Sequence, residues 1–249
     1  IVRLEGGYKA FRNYLMSEID NSPKYFKAII LGGYTGSGKT IFLNKIDNSI
    51  DLEGLANHRG SSFGKKITVQ PTQIDFENSL AYELIQKVNK GFSHLLFEDE
   101  GKHIGSVYIP KTLVNYLSSS SMIVLETPFI ERINITFDEY ILKAQINYKK
   151  EFEKNYLSLW SDEIKKAMER IQKRLGSMRY KNLIELFDEA LKVQEEKGDL
   201  AKYKQWIAYL LKEYYDPMYK YQLEKNKEKI IFRGTSSDIL DYLETLKKV

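Results

Sequence analysis

The chain has 249 residues, a length that allows one or two domains, each with its own hydrophobic core. It contains 38 Lys and Arg and 34 Asp and Glu residues, which gives a formal charge of +4. It has no cysteine, which excludes disulfides, thiolate nucleophiles, persulfide chemistry and cysteine-based metal sites on this chain, and its three scattered histidines argue against structural zinc. The longest aliphatic runs have four residues, for example 122–125, whereas a membrane helix needs about 20, so we expect a soluble, cytoplasmic protein.

Short apolar runs alternate with helical periods in the first half of the chain. Three runs predict strands buried on both faces, at 27–31, 93–97 and 121–125. A helix is predicted after Lys39, where Phe42, Leu43 and Ile46 recur at helical spacing, and further helices are predicted around 76–88 and 111–117. Strand, helix and strand in this order indicate a mostly parallel sheet with right-handed crossovers.

A phosphate-binding loop is predicted directly after the first strand. Residues 33–40 read Gly-Tyr-Thr-Gly-Ser-Gly-Lys-Thr, which fits the P-loop pattern G-x-x-x-x-G-K-S/T between a strand and a helix. Lys39 is predicted to contact outer phosphate oxygens, and the Thr40 hydroxyl to complete a Mg²⁺ shell. The pattern does not identify ATP, because any diphosphate fits the same cradle. The predicted phosphate-binding residues of the loop are Gly33, Gly36, Ser37, Gly38, Lys39 and Thr40.

A polar, glycine-rich segment, 51–64, follows the first helix, where folds of this kind place a segment over the terminal phosphates. His58 and Arg59 are candidate phosphate contacts, and Ser61 with Ser62 are candidate hydroxyl donors. An ordinary surface loop fits the same composition, so this alternative stays open.

Three acidic residues, Glu98, Asp99 and Glu100, follow the second predicted strand. A carboxylate at the C-terminal end of a strand faces the phosphate crevice of an open α/β sheet. Any of the three is a candidate to hold Mg²⁺ through water or to act as a base. Successive side chains of an extended chain point to opposite sides, so the three do not all point the same way. Asp99 is the first choice, and a solvated acidic turn is the alternative.

The composition changes after about residue 136. Two apolar stripes at helical spacing, 164–175 and 183–191, are separated by Gly176-Ser177, and Gly198 and Asp216-Pro217 are predicted helix stops. A last strand is predicted at 229–233 and a last helix at 238–246. The predicted fold is α/β, with a P-loop NTPase-like, mostly parallel sheet and an added helical domain. The predicted limits are 1–135 for the α/β domain, 136–226 for the helical domain, and 227–249 for a strand and helix that can return to the α/β domain.

Basic residues concentrate in the predicted helical domain. Between residues 165 and 181 there are seven Lys and Arg residues and one acidic residue, Glu169. Most of the candidate RNA-binding side chains share one helical face opposite the apolar stripe, which suits the phosphate backbone of a tRNA, although a solvated helix face has the same pattern. These candidates are Lys166, Arg170, Lys173, Arg174 and Arg179. Aromatic residues over 203–221 are candidates to stack a base or to line an apolar pocket, and a helical core role is the commoner alternative.

Together these segments resemble the tRNA 2-selenouridine synthase family. The resemblance covers nearly the whole chain, and the stretches that carry it are 5–12, 33–40, 51–64, 70–78, 97–100, 170–176 and 214–223. It implies the replacement of sulfur by selenium in wobble 2-thiouridine of tRNA, through an S-geranylated intermediate made from geranyl diphosphate and then converted with selenophosphate. Members of the family pair a P-loop domain with a rhodanese-like domain that carries a catalytic cysteine.

This chain resembles the P-loop part alone, so the implied partners are tRNA and a rhodanese-like domain or subunit. The chain begins with Ile1, which leads us to expect further sequence upstream. Geranyl transfer needs no cysteine, because the nucleophile is the substrate's thiocarbonyl sulfur, whereas selenium transfer is not expected from this chain alone. The expected catalytic residues are Lys39, Asp99 and Arg59, with Mg²⁺ on Thr40 and Asp99. A small-molecule kinase or ATPase, and a non-enzymatic tRNA-presenting subunit, are the alternatives.

Overall fold

A five-stranded parallel sheet lies at the centre of the computed structural model, which describes residues 4–246; its strands lie side by side in the order Ser49–Ile50, His94–Glu98, Lys27–Gly32, Ser121–Leu125 and Ile230–Gly234. Leu31 of the strand Lys27–Gly32 pairs with Glu98 of the strand His94–Glu98, so the C-terminal ends of these two strands lie at the same edge of the sheet. The strands are β1 (Lys27–Gly32), β2 (Ser49–Ile50), β3 (His94–Glu98), β4 (His103–Ile104), β5 (Val107–Tyr108), β6 (Ser121–Leu125) and β7 (Ile230–Gly234). The first three predicted strands are confirmed to within one residue, and β4 and β5 form a separate antiparallel pair.

Helices cover both faces of this sheet and build a second unit beyond it. They are α1 (Gly7–Asn21), α2 (Lys39–Leu43), α3 (Leu52–Leu55), α4 (Gln73–Asn89), α5 (Lys111–Ser118), α6 (Phe129–Phe137), α7 (Ala144–Phe152), α8 (Tyr156–Leu175), α9 (Ser177–Lys197), α10 (Tyr203–Leu210), α11 (Asp216–Lys225) and α12 (Ser236–Leu246). Local signals explain several boundaries: the Thr72 side chain caps α4 by accepting from the Asp75 N–H. Gly198 ends α9 in the left-handed conformation, with φ 69°.

The strands are continuously apolar because both faces of the sheet are buried. On one face Ile30 and Phe97 pack with Leu80 and other residues of α1, α4 and α5. On the other face Ile29 and Leu31 pack with residues of α2 and α12. The fold class predicted from the sequence is confirmed.

A third apolar cluster holds the helical unit together. Its largest fully buried side chains are Trp160, Phe187, Tyr203 and Trp206, contributed by α8, α9 and α10. The stripe predicted over 164–175 is buried in this cluster, and Gly176 separates α8 from α9 as predicted. Within residues 4–246, no helix combines the length and apolar character needed to cross a bilayer.

The structure differs from the sequence-based expectation at two helix ends. The helix after Lys39 ends at Leu43, so Ile46 lies beyond it; the Ser49 hydroxyl donates to the Leu43 carbonyl at 2.7 Å and turns the chain towards β2. Asp216-Pro217 is not a stop. A π-helical segment, Leu211–Tyr215, runs into α11, and Pro217 lies in the first turn of α11, where a missing N–H costs little.

The last strand, β7, pairs in parallel with β6, so the C-terminal segment returns to the sheet. The last helix, α12, begins two residues before its predicted start at 238. The predicted domain limits 1–135, 136–226 and 227–249 stay predictions. The first limit falls within helix α6 (Phe129–Phe137). Residues 1–3 and 247–249 lie outside the described part of the chain.

Candidate functional site

The loop between β1 and α2 lines a cavity of about 410 Å³ at the edge where β1 and β3 end. Gly36 and Gly38 have φ of 78° and 83°, values that favour glycine. A Cβ on Gly36 would lie 2.8 Å from the Arg132 carbonyl oxygen, so this turn has no space for a side chain. The Ser37 hydroxyl is buried in the loop with no hydrogen-bond partner among the described residues. These features describe a cradle that an anion would complete.

Most of the predicted phosphate-binding residues line this cavity, whereas Gly33 and Ser62 do not, and neither does Asp99, the predicted Mg²⁺ ligand. The lining members of the predicted set are Gly36, Ser37, Gly38, Lys39, Thr40, His58, Arg59 and Ser61. The Lys39 ammonium group donates to the Gly33 carbonyl at 3.1 Å and lies 5.5 Å from the centre of the Tyr219 ring. Lys39 therefore rests at the mouth of the loop, within reach of a phosphate that enters the cavity.

Thr40 belongs to a buried network with two glutamates. Its hydroxyl donates to Glu98 at 2.8 Å and lies 3.3 Å from a carboxylate oxygen of Glu53, whose backbone N–H donates to Glu98 at 3.0 Å. Burial, together with the charge of Glu53, raises the pKa of Glu98 to about 8. Burial and the neighbouring Glu100 raise the pKa of Glu53 to about 8, and burial and Glu98 raise that of Glu100 to about 7.

The structure places Glu98, rather than the predicted Asp99, against Thr40. Glu98 ends β3, and successive side chains of an extended chain point to opposite sides. Glu98 and Glu100 consequently reach the cavity, while Asp99 does not line it and is partly buried, which raises its pKa. Glu53 was not singled out from the sequence, although it lies in the segment 51–64 predicted to cover the phosphates, because its contact with Glu98 is long-range.

The residues at this edge fit a Mg²⁺ ion shared with a phosphate. Among residues 4–246 no three Asp, Glu or His side chains converge as a full ligand set. Mg²⁺ in phosphate sites usually takes one or two protein ligands and fills its other positions with phosphate oxygens and water. The carboxylates of Glu53, Glu98 and Glu100 repel one another, and a bound cation would reduce this repulsion. The Thr40 hydroxyl lies beside two of them, Glu53 and Glu98.

The loop 57–64 closes one side of the cavity and is fastened to the helical unit. The Arg59 guanidinium lies 5.2 Å from the Tyr140 ring and 3.5 Å from Glu139. The Ser61 and Tyr140 hydroxyls are 3.0 Å apart, and Arg170 donates to the Ser62 carbonyl at 2.8 Å. The loop is therefore attached to the helical unit, and the phosphate contacts of His58, Arg59 and Ser61 stay predictions.

Two π-helical segments bring tyrosines to this loop. Asp138–Lys143 carries Tyr140, and Leu211–Tyr215 carries Tyr215; such segments are often found at functional sites. Burial raises the pKa of Tyr140 to about 12 and that of Tyr215 well above its usual value. Both hydroxyls therefore remain protonated at neutral pH, and that of Tyr140 shares a hydrogen bond with Ser61 in which either oxygen can donate.

The cavity is lined by both acidic and basic side chains. Lys66 and Lys143, which were not singled out from the sequence, line it together with Lys39 and Arg59. Burial and the charges of Lys66, Arg170 and Arg59 lower the pKa of His58, so His58 is neutral at pH 7. The basic side chains thus offer cations to a polyanionic ligand, while His58 offers a neutral ring nitrogen.

The predicted RNA-binding residues lie on α8 and the start of α9, and all are exposed to solvent. Within residues 4–246, Lys166, Lys173 and Arg174 form no ion pair. Arg170 contacts Glu163 and the loop 57–64, and Arg179 pairs with Glu213 at 3.1 Å. Lys166, Lys173 and Arg174 are therefore open to a ligand, while Arg170 joins this face to the loop 57–64.

Comparison with known proteins gives consistent matches. The family model of the tRNA 2-selenouridine synthase AAA domain matches residues 26–249. The chain is 59% identical over 244 residues to the tRNA 2-selenouridine synthase of Sulfurovum sp. (strain NBC37-1), covering 98% of the chain and 67% of that protein. The corresponding enzyme of Hydrogenovibrio crunogenus is 44% identical over 248 residues, with 98% and 67% covered. That of Photobacterium profundum is 42% identical over 239 residues, with 96% and 65% covered. The chain thus spans about two thirds of the length of these relatives.

Proposed function

Because the chain belongs to the tRNA 2-selenouridine synthase family and matches its P-loop-type domain, we propose that it transfers a geranyl group from geranyl diphosphate to wobble 2-thiouridine of tRNA. The observation that carries this proposal is the phosphate cradle of residues 33–40, which opens on a cavity lined by basic and acidic side chains. The cradle suits a diphosphate, and the proposed acceptor arrives on an RNA that the basic face of α8 can bind.

In the proposed step the thiocarbonyl sulfur of the base attacks C1 of the geranyl group. A C–S bond forms, the C1–O bond breaks, and its electron pair leaves with the diphosphate, while the proton on N3 of the base is released to water. The backbone of the loop and Lys39 stabilise the charge that develops on the leaving diphosphate. Arg59 faces the same cavity and is proposed to neutralise outer oxygens.

We propose Thr40 and Glu98 as the protein ligands of Mg²⁺, in place of the pair Thr40 and Asp99. The support is the 2.8 Å contact between the two side chains at the cavity wall. When bound, the ion supplies countercharge to the diphosphate. Loss of the proton from Glu98, whose pKa is about 8 without a cation, accompanies binding.

Selenium exchange with selenophosphate is proposed to require the complete enzyme. The chain lacks cysteine and spans about two thirds of its relatives, which fits a P-loop part that works with a rhodanese-like domain or subunit. The kinase or ATPase alternative accounts for the P-loop pattern alone and gives no role to the open basic face of α8.

The test is mass spectrometry of nucleosides from 2-thiouridine-containing tRNA after incubation with the protein, Mg²⁺ and geranyl diphosphate. We expect a geranyl mass increment on the thiouridine, and a loss of about 100-fold in rate for Lys39→Ala, the order of effect seen when a charge-stabilising group is removed. Lys45→Ala is the matched control, since Lys45 is exposed just beyond α2 and outside the cavity.

Normal transfer by Lys39→Ala would contradict the role of the loop. Binding of tRNA without any mass increment would favour the tRNA-presenting subunit. Turnover of ATP without tRNA would favour the kinase or ATPase.

A further inference from the structure

We infer that the site of Phe63, between the phosphate cavity and the helical unit, is the binding site for the apolar tail of a diphosphate ester, and that the tail binds by displacing the Phe63 side chain. This inference rests on the proposed function, because it concerns the part of the same ligand that lies beyond its diphosphate.

Phe63 has an unusual place in the molecule. It belongs to the loop 57–64, yet its side chain is only 6% exposed and packs in the apolar cluster of the helical unit, edge-on to Trp206 at 5.8 Å. Of the described residues in that cluster, Phe63 is the one that precedes Ile133. A side chain from a cavity-lining loop thus fills a position in a core to which its neighbours in sequence do not belong.

Two small clefts flank this side chain and adjoin the phosphate cavity. The first, of about 10 Å³, is mainly apolar and lies between Phe63, Trp206, Leu210 and Leu211. The second, of about 30 Å³, lies between Phe63, Trp160 and Ile164 and is also lined by charged side chains, those of Arg59, Lys65, Glu163 and Arg170. Both clefts share Tyr140 with the lining of the phosphate cavity. The apolar route from the phosphate cradle into the helical core therefore runs past Tyr140 through the smaller cleft.

The clefts are too small to hold a hydrocarbon tail while Phe63 is in place. A cleft of about 10 to 30 Å³ holds about one or two waters, whereas the space that the Phe63 ring fills borders both clefts. An apolar chain that replaces the ring would keep the core dry and would bury its own apolar surface.

The loop is built so that the ring can leave. Phe63 lies between Gly60, with φ 37°, and Gly64, and the loop is held to the helical unit by side-chain contacts of Arg59, Ser61 and Arg170 rather than by regular structure. Breaking these contacts exposes polar groups to water, which costs little. The Phe63 side chain therefore occupies the tail site until a ligand displaces it, and the size of this side chain sets the length of tail that fits.

The test measures the ratio of the dissociation constants of inorganic diphosphate and geranyl diphosphate by calorimetry with Mg²⁺. In the wild type we expect a ratio above one. Phe63→Ala should raise the ratio about tenfold, because the tail no longer competes with a phenyl ring, and Phe63→Trp should lower it about tenfold. Phe187→Ala is the matched control: Phe187 is also buried and also packs edge-on to Trp206, at 5.3 Å, but lines neither cleft. It should lower the melting temperature and leave the ratio unchanged.

Leu210→Phe narrows the smaller cleft from α10 and leaves the sequence of the loop unchanged. It should also lower the ratio, and it decides the matter if Phe63→Ala does not fold. A ratio above one that is equal in the wild type and in all Phe63 and Leu210 variants would overturn the inference and leave the proposed function standing. A ratio of one in every protein would overturn both, since geranyl diphosphate would then gain nothing from its tail.

Discussion

Glu53 and Glu98 share their buried position with Thr40, and burial raises the pKa of each to about 8 from an ordinary value of 4.5. Between about pH 4.5 and 8 the folded protein therefore binds protons that the unfolded chain has released. In this window the free energy of unfolding falls as the pH rises, because the unfolded state binds fewer protons than the native state. The site thus costs stability under the conditions in which it would bind a cation.

We predict that Glu53→Gln makes stability less sensitive to pH. The substitution removes one titrating group and also the charge that raises the pKa of Glu98, so the slope of melting temperature against pH between 5.5 and 8.5, without divalent cations, should be roughly halved. Glu185→Gln, at an exposed position of α9, is the control and should leave the slope unchanged. Equal slopes for Glu53→Gln and the wild type would contradict the assignment.

At the scale of elements, Arg132 of α6 joins the phosphate loop to the helical unit. Its Nε donates to the Thr35 carbonyl at 2.9 Å, and its guanidinium forms an ion pair with Asp216 at the start of α11. The same group lies 4.9 Å from the Tyr34 ring. Arg132 is 5% exposed, so water cannot replace these partners.

We predict that Arg132→Ala destabilises the fold and weakens diphosphate binding together. Breaking a buried pair leaves Asp216 unpaired and should lower the free energy of unfolding by about 3 kcal/mol in urea denaturation. Without its donor, Thr35 no longer fixes the loop, and diphosphate affinity measured by calorimetry should fall by roughly tenfold. Arg12→Ala breaks a comparable half-buried pair with Glu77, between α1 and α4, and should lower stability alone. Unchanged diphosphate affinity in Arg132→Ala would show that the loop holds its shape independently.

Local sequence patterns predicted the elements well and the contacts between them poorly. The strand β1 and the loop to Thr40 could be predicted because their signals, an apolar run and a glycine pattern, lie within a few residues. Phe63 and Tyr219 could not be placed, since their partners are distant in sequence. Pro217 was misjudged because a π-helical segment, which no local rule indicates, precedes it.

At the scale of the whole molecule, the formal charge of +4 does not show that positive charge is concentrated on one side of α8. The open basic residues of α8 project from the side of the helix opposite its buried stripe. Binding of a polyanion there is driven by release of its counterions and falls with salt.

We predict that replacing Lys166, Lys173 and Arg174 by alanine weakens tRNA binding at low salt and flattens its salt dependence. Removing three phosphate contacts should reduce the slope of log K against log salt concentration by about two. Alanine at Lys9, Lys24 and Lys90, which are exposed on the α/β unit, makes the same change in net charge and should leave the slope nearly unaltered. Equal effects of the two triple variants, measured by filter binding, would contradict a localised RNA site.

The pairing of β6 with β7 has a consequence for synthesis on the ribosome. These neighbouring strands are separated by 104 residues, from Leu125 to Ile230. Until those residues have been translated, the nascent sheet ends at β6, whose apolar side chains and unpaired backbone form an open edge. The helical unit is made during this interval, so the partly synthesised chain carries an edge prone to aggregation for longer than a compact α/β domain would, and chaperone capture at this stage would favour its correct folding.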